Sequence, residues 1–411
     1  MRTTPGQKAV DTDISDADRS PRPLRPGLLM TPDFPPVVGG ISSYLFHIYQ
    51  RFDLSRVTLI APQHPAADEF DRTQSYSASR FAQWSAVPGL RGSIQLWQMY
   101  RRVQKLMARS EGGLILHCGH INAAMAARQL KRRYQVPYLV WTYALEIMDK
   151  WLRSRIIPAL EEADLVISIS DFTREFIASQ GVPRERIAKI APGADPELFR
   201  PGQDAIELKR RLGVEGRPVL LTVARIVKAN RYKGHDVVLA ALARVVQAVP
   251  NIAYVIVGSG DDFGYLDSLA RKFGVRESVI FAGFVPDAEL PLYYNACDVF
   301  VMCSREERGR RGVLAEGFGI AFLEASACGK PVIGGHSGGV PEAIRDGITG
   351  FLVNPNDAGE LAGKILRVLQ EPVLAETLGR NGRQWIESEM NWGRGARELG
   401  EALDRFFPAV G

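Results

Sequence analysis

At 411 residues the chain is too long for one ordinary domain, and a scale of about 150 residues per domain predicts two or three. Hydrophobic residues make up 46% of it, enough for packed cores. No run approaches the ~18 apolar residues of a membrane span and the start has no apolar leader segment, so the sequence predicts a soluble, cytoplasmic protein. The formal charge of +5 suits an anionic ligand or membrane surface, and the lack of a clustered basic stripe with stacking aromatics excludes nucleic acid as a partner.

Residues 1–26 are rich in Asp, Arg, Ser, Thr and Pro and are expected to form a disordered tail. Asp11-Thr-Asp13 and Asp16-Ala-Asp18 spell the D-x-D pattern of metal-dependent sugar transferases, but in such a tail the pattern is accidental. A first strand, Gly27 to Met30, leads through a loop to Gly39-Gly40 and a helix from Ile41 to about Arg51. Strand, glycine pair and helix start make a phosphate or substrate loop, unless the glycines only close a tight βα turn.

Val57 to Ala61 reads as a second strand and Pro62 to Arg80 as loop. From Ile94 to Arg109, Leu96, Met99, Tyr100, Val103, Leu106 and Met107 recur at helical spacing among Arg101, Arg102, Lys105 and Arg109. Such a helix either packs its apolar stripe on the sheet or docks on anionic lipid. The strand Leu114 to Cys118 delivers His117, Gly119 and His120 to its carboxyl end, where the histidines are donor contacts, a proton shuttle or structural residues. Without a third ligand at suitable spacing, no metal site is expected. Tyr138 to Thr142 is the next strand, running into Tyr143-Ala-Leu-Glu146, and Asp164 to Ser170 is a buried strand before a capped helix. Regular structure breaks between Pro192 and Gly202, which predicts a boundary between domains 27–200 and 201–391.

Strand and helix alternate again from Val219, and the loop Arg225 to Gly234 carries Arg225, Lys228, Arg231 and Lys233. Two cations at a parallel strand end would neutralise a leaving diphosphate, although an isolated basic loop is by default solvated. Gly258-Ser-Gly260 and Gly264 resemble a dinucleotide fingerprint, but the third glycine is one position late and no acidic residue follows at a second strand end. The segment 304–311 reads as a basic loop that reaches an anionic acceptor or is only solvated. The four cysteines, Cys118, Cys297, Cys303 and Cys328, form no C-x-x-C pair and are expected as free thiols. The segment 392–411 is expected to hold a last helix crossing back to the first domain.

Glu316-Gly-Phe-Gly-Ile-Ala-Phe-Leu-Glu324 places two carboxylates around a glycine-rich turn and the first turns of a helix. Free N–H groups at that helix start attract phosphate, and carboxylates two turns apart can touch two parts of one long ligand, such as a diphosphate between hydroxyl-rich groups.

This stretch resembles the E-x7-E signature of retaining GT-B glycosyltransferases of the family 4 type. The run from Arg305 to Glu342 is most similar to their phosphatidyl-inositol mannosyltransferase branch. Phe34-Pro-Pro, Gly39-Gly40-Ile41 and Tyr44-Leu45 resemble the first loop of the same enzymes. The resemblance implies two Rossmann-like α/β domains facing a cleft, the first for the acceptor and the second for a nucleotide-sugar donor. It implies that Glu316 touches the donor sugar and Glu324 the ribose, and that the backbone of Phe318, Gly319, Ile320 and Ala321 holds the diphosphate. It also assigns the charge-neutralising role to Arg225 and Lys233, and the base to the backbone at Phe284 and Val285. The family's loop histidine is missing at Tyr143 to Glu146, which leaves His120, His117 and Tyr143 as candidates, in that order, to support the sugar.

A glycan phosphorylase would need a pyridoxal phosphate lysine and a longer chain, and an epimerase does not call for E-x7-E. A binding protein without turnover would be expected to lose Arg225, Lys233 or a glutamate, and all are present. A transferase is therefore expected, without metal or cofactor, and the resemblance implies that it moves a hexose with retention of the anomeric configuration. The donor favoured by the branch is GDP-mannose and the acceptor a hydroxyl on a lipid-linked, polyol or saccharide molecule, with peripheral contact to the inner membrane face. The alternatives are a UDP-sugar transferase of the same fold or an epimerase.

Overall fold

The structure is a computed structural model and describes residues 22–37, 39–82, 91–108, 113–310 and 312–408. In the first half, seven short segments pair in parallel: β1 (Gly27–Met30), β2 (Val57–Pro62), β3 (Ser77–Phe81), β4 (Ile115–Cys118), β5 (Tyr138–Thr142), β6 (Leu165–Ser168) and β7 (Ile187–Lys189). Their order is β3-β2-β1-β4-β5-β6-β7. β1, β4, β5 and β6 are buried along their whole length, as strands covered by helices on both faces must be, which is why they read as near-continuous apolar runs, interrupted inside only by His117.

The second half repeats the design with β8 (Val219–Val223), β9 (Ala253–Val257), β10 (Val279–Gly283), β11 (Val299–Met302), β12 (Val332–Gly335) and β13 (Gly350–Val353), ordered β10-β9-β8-β11-β12-β13. In each sheet the strand order reverses beside the first strand. A crevice therefore opens outside the carboxyl ends of β1 and β4 in one domain, and of β8 and β11 in the other.

The chain crosses between domains twice at one place. Ala194 bridges to Asn391, and a Cβ on Gly193 would fall 2.5 Å from the Asn391 carbonyl carbon, so both crossings are packed against each other. Asn391 then caps the helix Trp392–Phe406, accepting from Arg394 N at 3.1 Å, and this helix returns to the first domain, where Trp392 meets Tyr44 at 5.7 Å between ring centroids.

Three expectations are corrected. Residues 22–26, assigned to the tail, are held: Arg22–Pro23 pairs in parallel with Phe52–Asp53, Leu24 is buried, and Arg22 forms an ion pair with Asp404. The two D-x-D motifs lie outside the described residues. The stretch 62–80 is not plain loop but holds the helix Ala67–Arg72 and most of the edge strand β3, whose exposed Ser and Ala carry no apolar alternation. The expected basic loop is an antiparallel hairpin, Glu307–Gly309 with Gly312–Leu314, and Gly312 bridges to Asp149 of the first domain.

Candidate functional site

The crevices of the two domains meet in one cleft with a cavity volume of about 440 Å³, the size of a small-molecule site. From the first domain it is lined by Gly39, Gly40, Tyr44, His47, Tyr143 and Glu146, and from the second by Arg225, Lys233, Glu316, Phe318, Gly319, Ile320, Ala321 and Glu324.

Gly319 has φ 103°, the left-handed region, and caps the helix Ile320–Ala327. A side chain there would be strained and its Cβ would press within 2.6 Å of the Phe322 ring, so only glycine makes this entry. The N–H groups of Gly319, Ile320 and Ala321 take no protein acceptor among the described residues. They are the orphan donors of a helix start, and with the positive end of the helix dipole they suit an anion.

Lys233 Nζ forms an ion pair with Glu316 Oε2, and the two side chains are 17% and 12% exposed. Burial pulls the Lys233 pKa down, but the adjacent Glu316 carboxylate outweighs it and holds the ammonium above its ordinary value. Arg225 is exposed and its guanidinium takes no partner among the described residues, so it is available to an anion in the cleft. Glu324 Oε2 accepts from Tyr294 Oη at 2.6 Å. Burial pushes the Glu324 carboxyl up to about 7, against the lowering effect of the Tyr294 bond and with some help from Asp287.

Arg231, the other arginine of this basic loop, is occupied. It makes two bonds to Asp262, 2.7 and 2.6 Å, and lies 3.6 Å over the Tyr265 ring. The glycines that resemble a dinucleotide fingerprint have a different reason: a Cβ on Gly258 would lie 1.9 Å from Ala224 O, and one on Gly260 would lie 2.0 Å from Ile226 O. They let the loop carrying Arg225 cross directly over β9, where Ile226 N donates to Ser259 O at 3.0 Å. Val285 is buried and does not line the cleft; Asp287, two residues on, does.

On the facing side, a Cβ added to Gly39 or Gly40 would meet no atom within 4 Å. Protein packing does not demand these glycines, and the space beside them is the cleft. The histidines fare differently from expectation. His120 is not among the lining residues; its Nδ1 accepts from Asn122 N at 3.1 Å and caps the helix Ile121–Tyr134. His117 is buried, hydrogen-bonded through Nδ1 to Tyr49 Oη at 2.8 Å, and pushed down to about 4 by burial. Of the three candidates only Tyr143 reaches the cleft, with its hydroxyl donating to Gly119 O at 2.9 Å and its N–H donating to Glu146. Glu146 is pushed up to about 7 by burial, only partly offset by backbone N–H groups including that of Tyr143.

His47 and Trp392 are among the lining residues that escape sequence reasoning. They stack with ring centroids 5.1 Å apart and planes at 14°. Burial, reinforced by Arg51, lowers the His47 pKa to about 4, so the ring is neutral at pH 7. His47 lies on the helix Gly40–Tyr49 and Trp392 near the end of the chain, and no local spacing links them.

The family described as "Glycosyl transferases group 1" matches residues 204–385, and "Glycosyltransferase Family 4" matches residues 38–198. A GDP-mannose-dependent alpha-(1-6)-phosphatidylinositol monomannoside mannosyltransferase of Mycolicibacterium smegmatis is 32% identical over 382 residues, covering 92% of this chain and 97% of the relative. Its namesake in Mycobacterium tuberculosis is 33% identical with the same coverage, 92% and 97%. Among solved structures, the Anabaena protein Alr3699/HepE in complex with UDP and glucose superposes with TM-score 0.77 at 21% identity, covering 93% of this chain and 100% of that one. Sucrose-phosphate synthase from Thermosynechococcus elongatus gives 0.76 at 22%, covering 93% and 99%. With both domains matched and relatives aligned over nearly their whole length, the chain belongs to the group 1 and family 4 glycosyltransferases and is a glycosyltransferase of the GT-B fold.

Proposed function

We propose that the protein transfers mannose from GDP-mannose to a hydroxyl of a lipid-linked, polyol or saccharide acceptor, with retention at the anomeric carbon and without a metal. The observation that carries the reading is the facing set of one unpaired helix start, Gly319 to Ala321, and two cations, Arg225 and Lys233, in one cleft. The donor assignment rests on the relatives named above.

A diphosphate fits between the helix N–H groups and the cations. The ribose then falls to Glu324 and the sugar to Glu316, which Lys233 holds in place. In the reaction the bond from anomeric carbon to phosphate oxygen breaks and GDP leaves with the electron pair. The acceptor oxygen bonds to that carbon from the same face, and its proton passes to a phosphate oxygen of the departing GDP. Arg225, Lys233 and the helix start meet the charge that grows on the phosphate, an electrostatic effect aimed at the transition state. This scheme asks for no protein base, which agrees with a cleft that His120 does not line.

Among the described residues no helix is long and apolar enough to cross a membrane. The helix Arg91–Met107 supports a peripheral contact instead. Trp97 is 63% exposed with Arg101 5.9 Å from its ring centroid, and Lys105 is exposed. Arg102 turns inward to Ser79 Oγ at 2.9 Å, and Arg109 lies outside the described residues. An exposed aromatic among cations suits the inner face of an anionic membrane, where a lipid acceptor would lie. The exposed Arg308 and Arg310 on the hairpin add to the positive surface.

The test is GDP-mannose turnover in excess chelator, with the anomer of the product read by NMR. Release of GDP with an α-linked product is expected. A β product would remove retention, and activity that vanishes in chelator and returns with Mg²⁺ or Mn²⁺ would remove metal independence.

A further inference from the structure

The segment from Ser337 to Glu342 faces both domains. At one end it supports the Glu316 turn: Gly339 N donates to Glu316 O at 2.9 Å, and a Cβ on Gly339 would sit 2.1 Å from Gly317 O. At the other end the short turn Val340–Glu342 sends the Glu342 side chain into the first domain. There Oε1 accepts from Asp171 N at 2.7 Å and Phe172 N at 3.3 Å, the first two N–H groups of the helix Asp171–Ser179. Oε2 pairs with Lys189 Nζ at 3.1 Å, and Lys189 also holds Asp171 at 2.5 Å.

The helix already has a cap from its own domain, since Ser170 Oγ accepts from Thr173 N at 3.1 Å. Glu342 therefore supplies, from the opposite domain, the carboxylate that a helix start favours. Its side chain is 22% exposed and does not line the cleft, so it touches neither donor nor acceptor. Ile169, just before the capped helix, does line the cleft, and a Cβ on Gly317 would come within 2.9 Å of its Cδ1. One carboxylate thus ties the backbone behind Glu316 to the part of the first domain that Gly317 faces.

We propose that Glu342 is a positioning residue, a latch between domains that holds the cleft closed by capping the helix Asp171–Ser179 with Lys189 as counter-charge. A contact made only in the closed arrangement biases that arrangement, and ligand affinity falls by the fraction of closed molecules lost. The proposal rests on the reading of the cleft as the transfer site.

Full-length wild type, Glu342→Ala, Glu342→Gln and Lys189→Met are compared by small-angle scattering, with and without GDP, and by kcat and KM for GDP-mannose turnover. Glu342→Ala is expected to increase the radius of gyration, reversed by saturating GDP, and to lower kcat/KM by about tenfold, the size of an ordinary coupling between two sites. Lys189→Met, which leaves the helix cap in place, shifts both readings in the same direction but less. Glu342→Gln keeps an acceptor for the N–H groups and stays nearer to wild type than Glu342→Ala. If Glu342→Ala loses activity while its radius matches wild type in both states, or keeps both, the latch is wrong. If Glu342→Ala does not fold, an unchanged radius and unchanged kinetics in Lys189→Met overturn it instead. Wild type that fails to bind GDP defeats the reading of the cleft, while the ligand-free radii still decide the latch.

Discussion

Replacing Lys233 by Met should damage stability and turnover separately, and one further substitution should tell the two apart. In the native site Lys233 and Glu316 are paired with only 17% and 12% of their side chains exposed. Removing the ammonium leaves a nearly buried carboxylate without its counter-charge, which costs about 3–5 kcal/mol for a fully buried pair; the residual exposure points to the lower end. The same substitution removes a positive charge from the leaving diphosphate, worth about 10²-fold in kcat, or ~2.7 kcal/mol. Lys233→Met/Glu316→Gln removes both charges, so most of the lost stability should return while turnover stays low, a strong non-additivity in one quantity and not the other. The midpoint of thermal unfolding and the rate of GDP release from GDP-mannose read the two effects. A double variant as unstable as the single one, or a Lys233→Met enzyme that keeps turnover within a few-fold of wild type, would refute the reasoning.

Glu324 gives a pH prediction. On the proposed placement of the donor, ribose hydroxyls donate to its carboxylate form, and burial holds that carboxyl up to about 7, so GDP affinity should rise as pH passes upward through about 7, and Glu324→Gln should flatten the profile in calorimetric titrations. Because the folded state binds this proton more tightly than the unfolded chain, the group's contribution to stability is present below about 4.5 and is lost as pH rises towards 7. Gly258→Ala, whose Cβ would lie 1.9 Å from Ala224 O, should displace the Arg225 loop and cut turnover by about 10²-fold, the loss of one charge-stabilising group; unchanged kinetics would contradict the seating described for that loop. His120→Ala should cost about 1 kcal/mol, the value of a helix cap, and leave kcat nearly unchanged; a large fall in kcat would return His120 to the chemistry. Trp97→Ala and Arg101→Ala should each weaken sedimentation with acidic vesicles, and salt should weaken the wild type in the same way; equal binding to neutral and acidic vesicles would remove the membrane face.

Much of this was legible in the sequence because parallel strands buried on both faces leave near-continuous apolar runs, and glycines mark where their carboxyl ends meet a ligand or another loop. Glu316 and Glu324 bracket a glycine turn and the first turns of the helix Ile320–Ala327, a local arrangement that brings both to the cleft. What was not legible depends on contacts remote in the chain. The strand Ser77–Phe81 is a partly polar edge and shows no alternation, and the hairpin after Arg305 docks through Gly312 on Asp149, far away in the chain. His120 sits where a strand ends and a helix begins, a position that a cap and a catalytic group occupy equally well; only the bond from Asn122 N shows which. The stacking of His47 on Trp392 and the reach of Glu342 to Asp171 each join residues from different parts of the chain, and no pattern within either segment announces them.

The central claim is that the cleft binds a nucleotide-sugar diphosphate and that the donor is GDP-mannose. Titration calorimetry of the wild-type protein with GDP-mannose and UDP-glucose tests it most directly. The account predicts binding of GDP-mannose at least about tenfold tighter than UDP-glucose, a difference of 1.4 kcal/mol. Tighter binding of UDP-glucose would contradict the donor assignment, and binding of neither would contradict the placement of the diphosphate between Arg225, Lys233 and the helix start at Gly319.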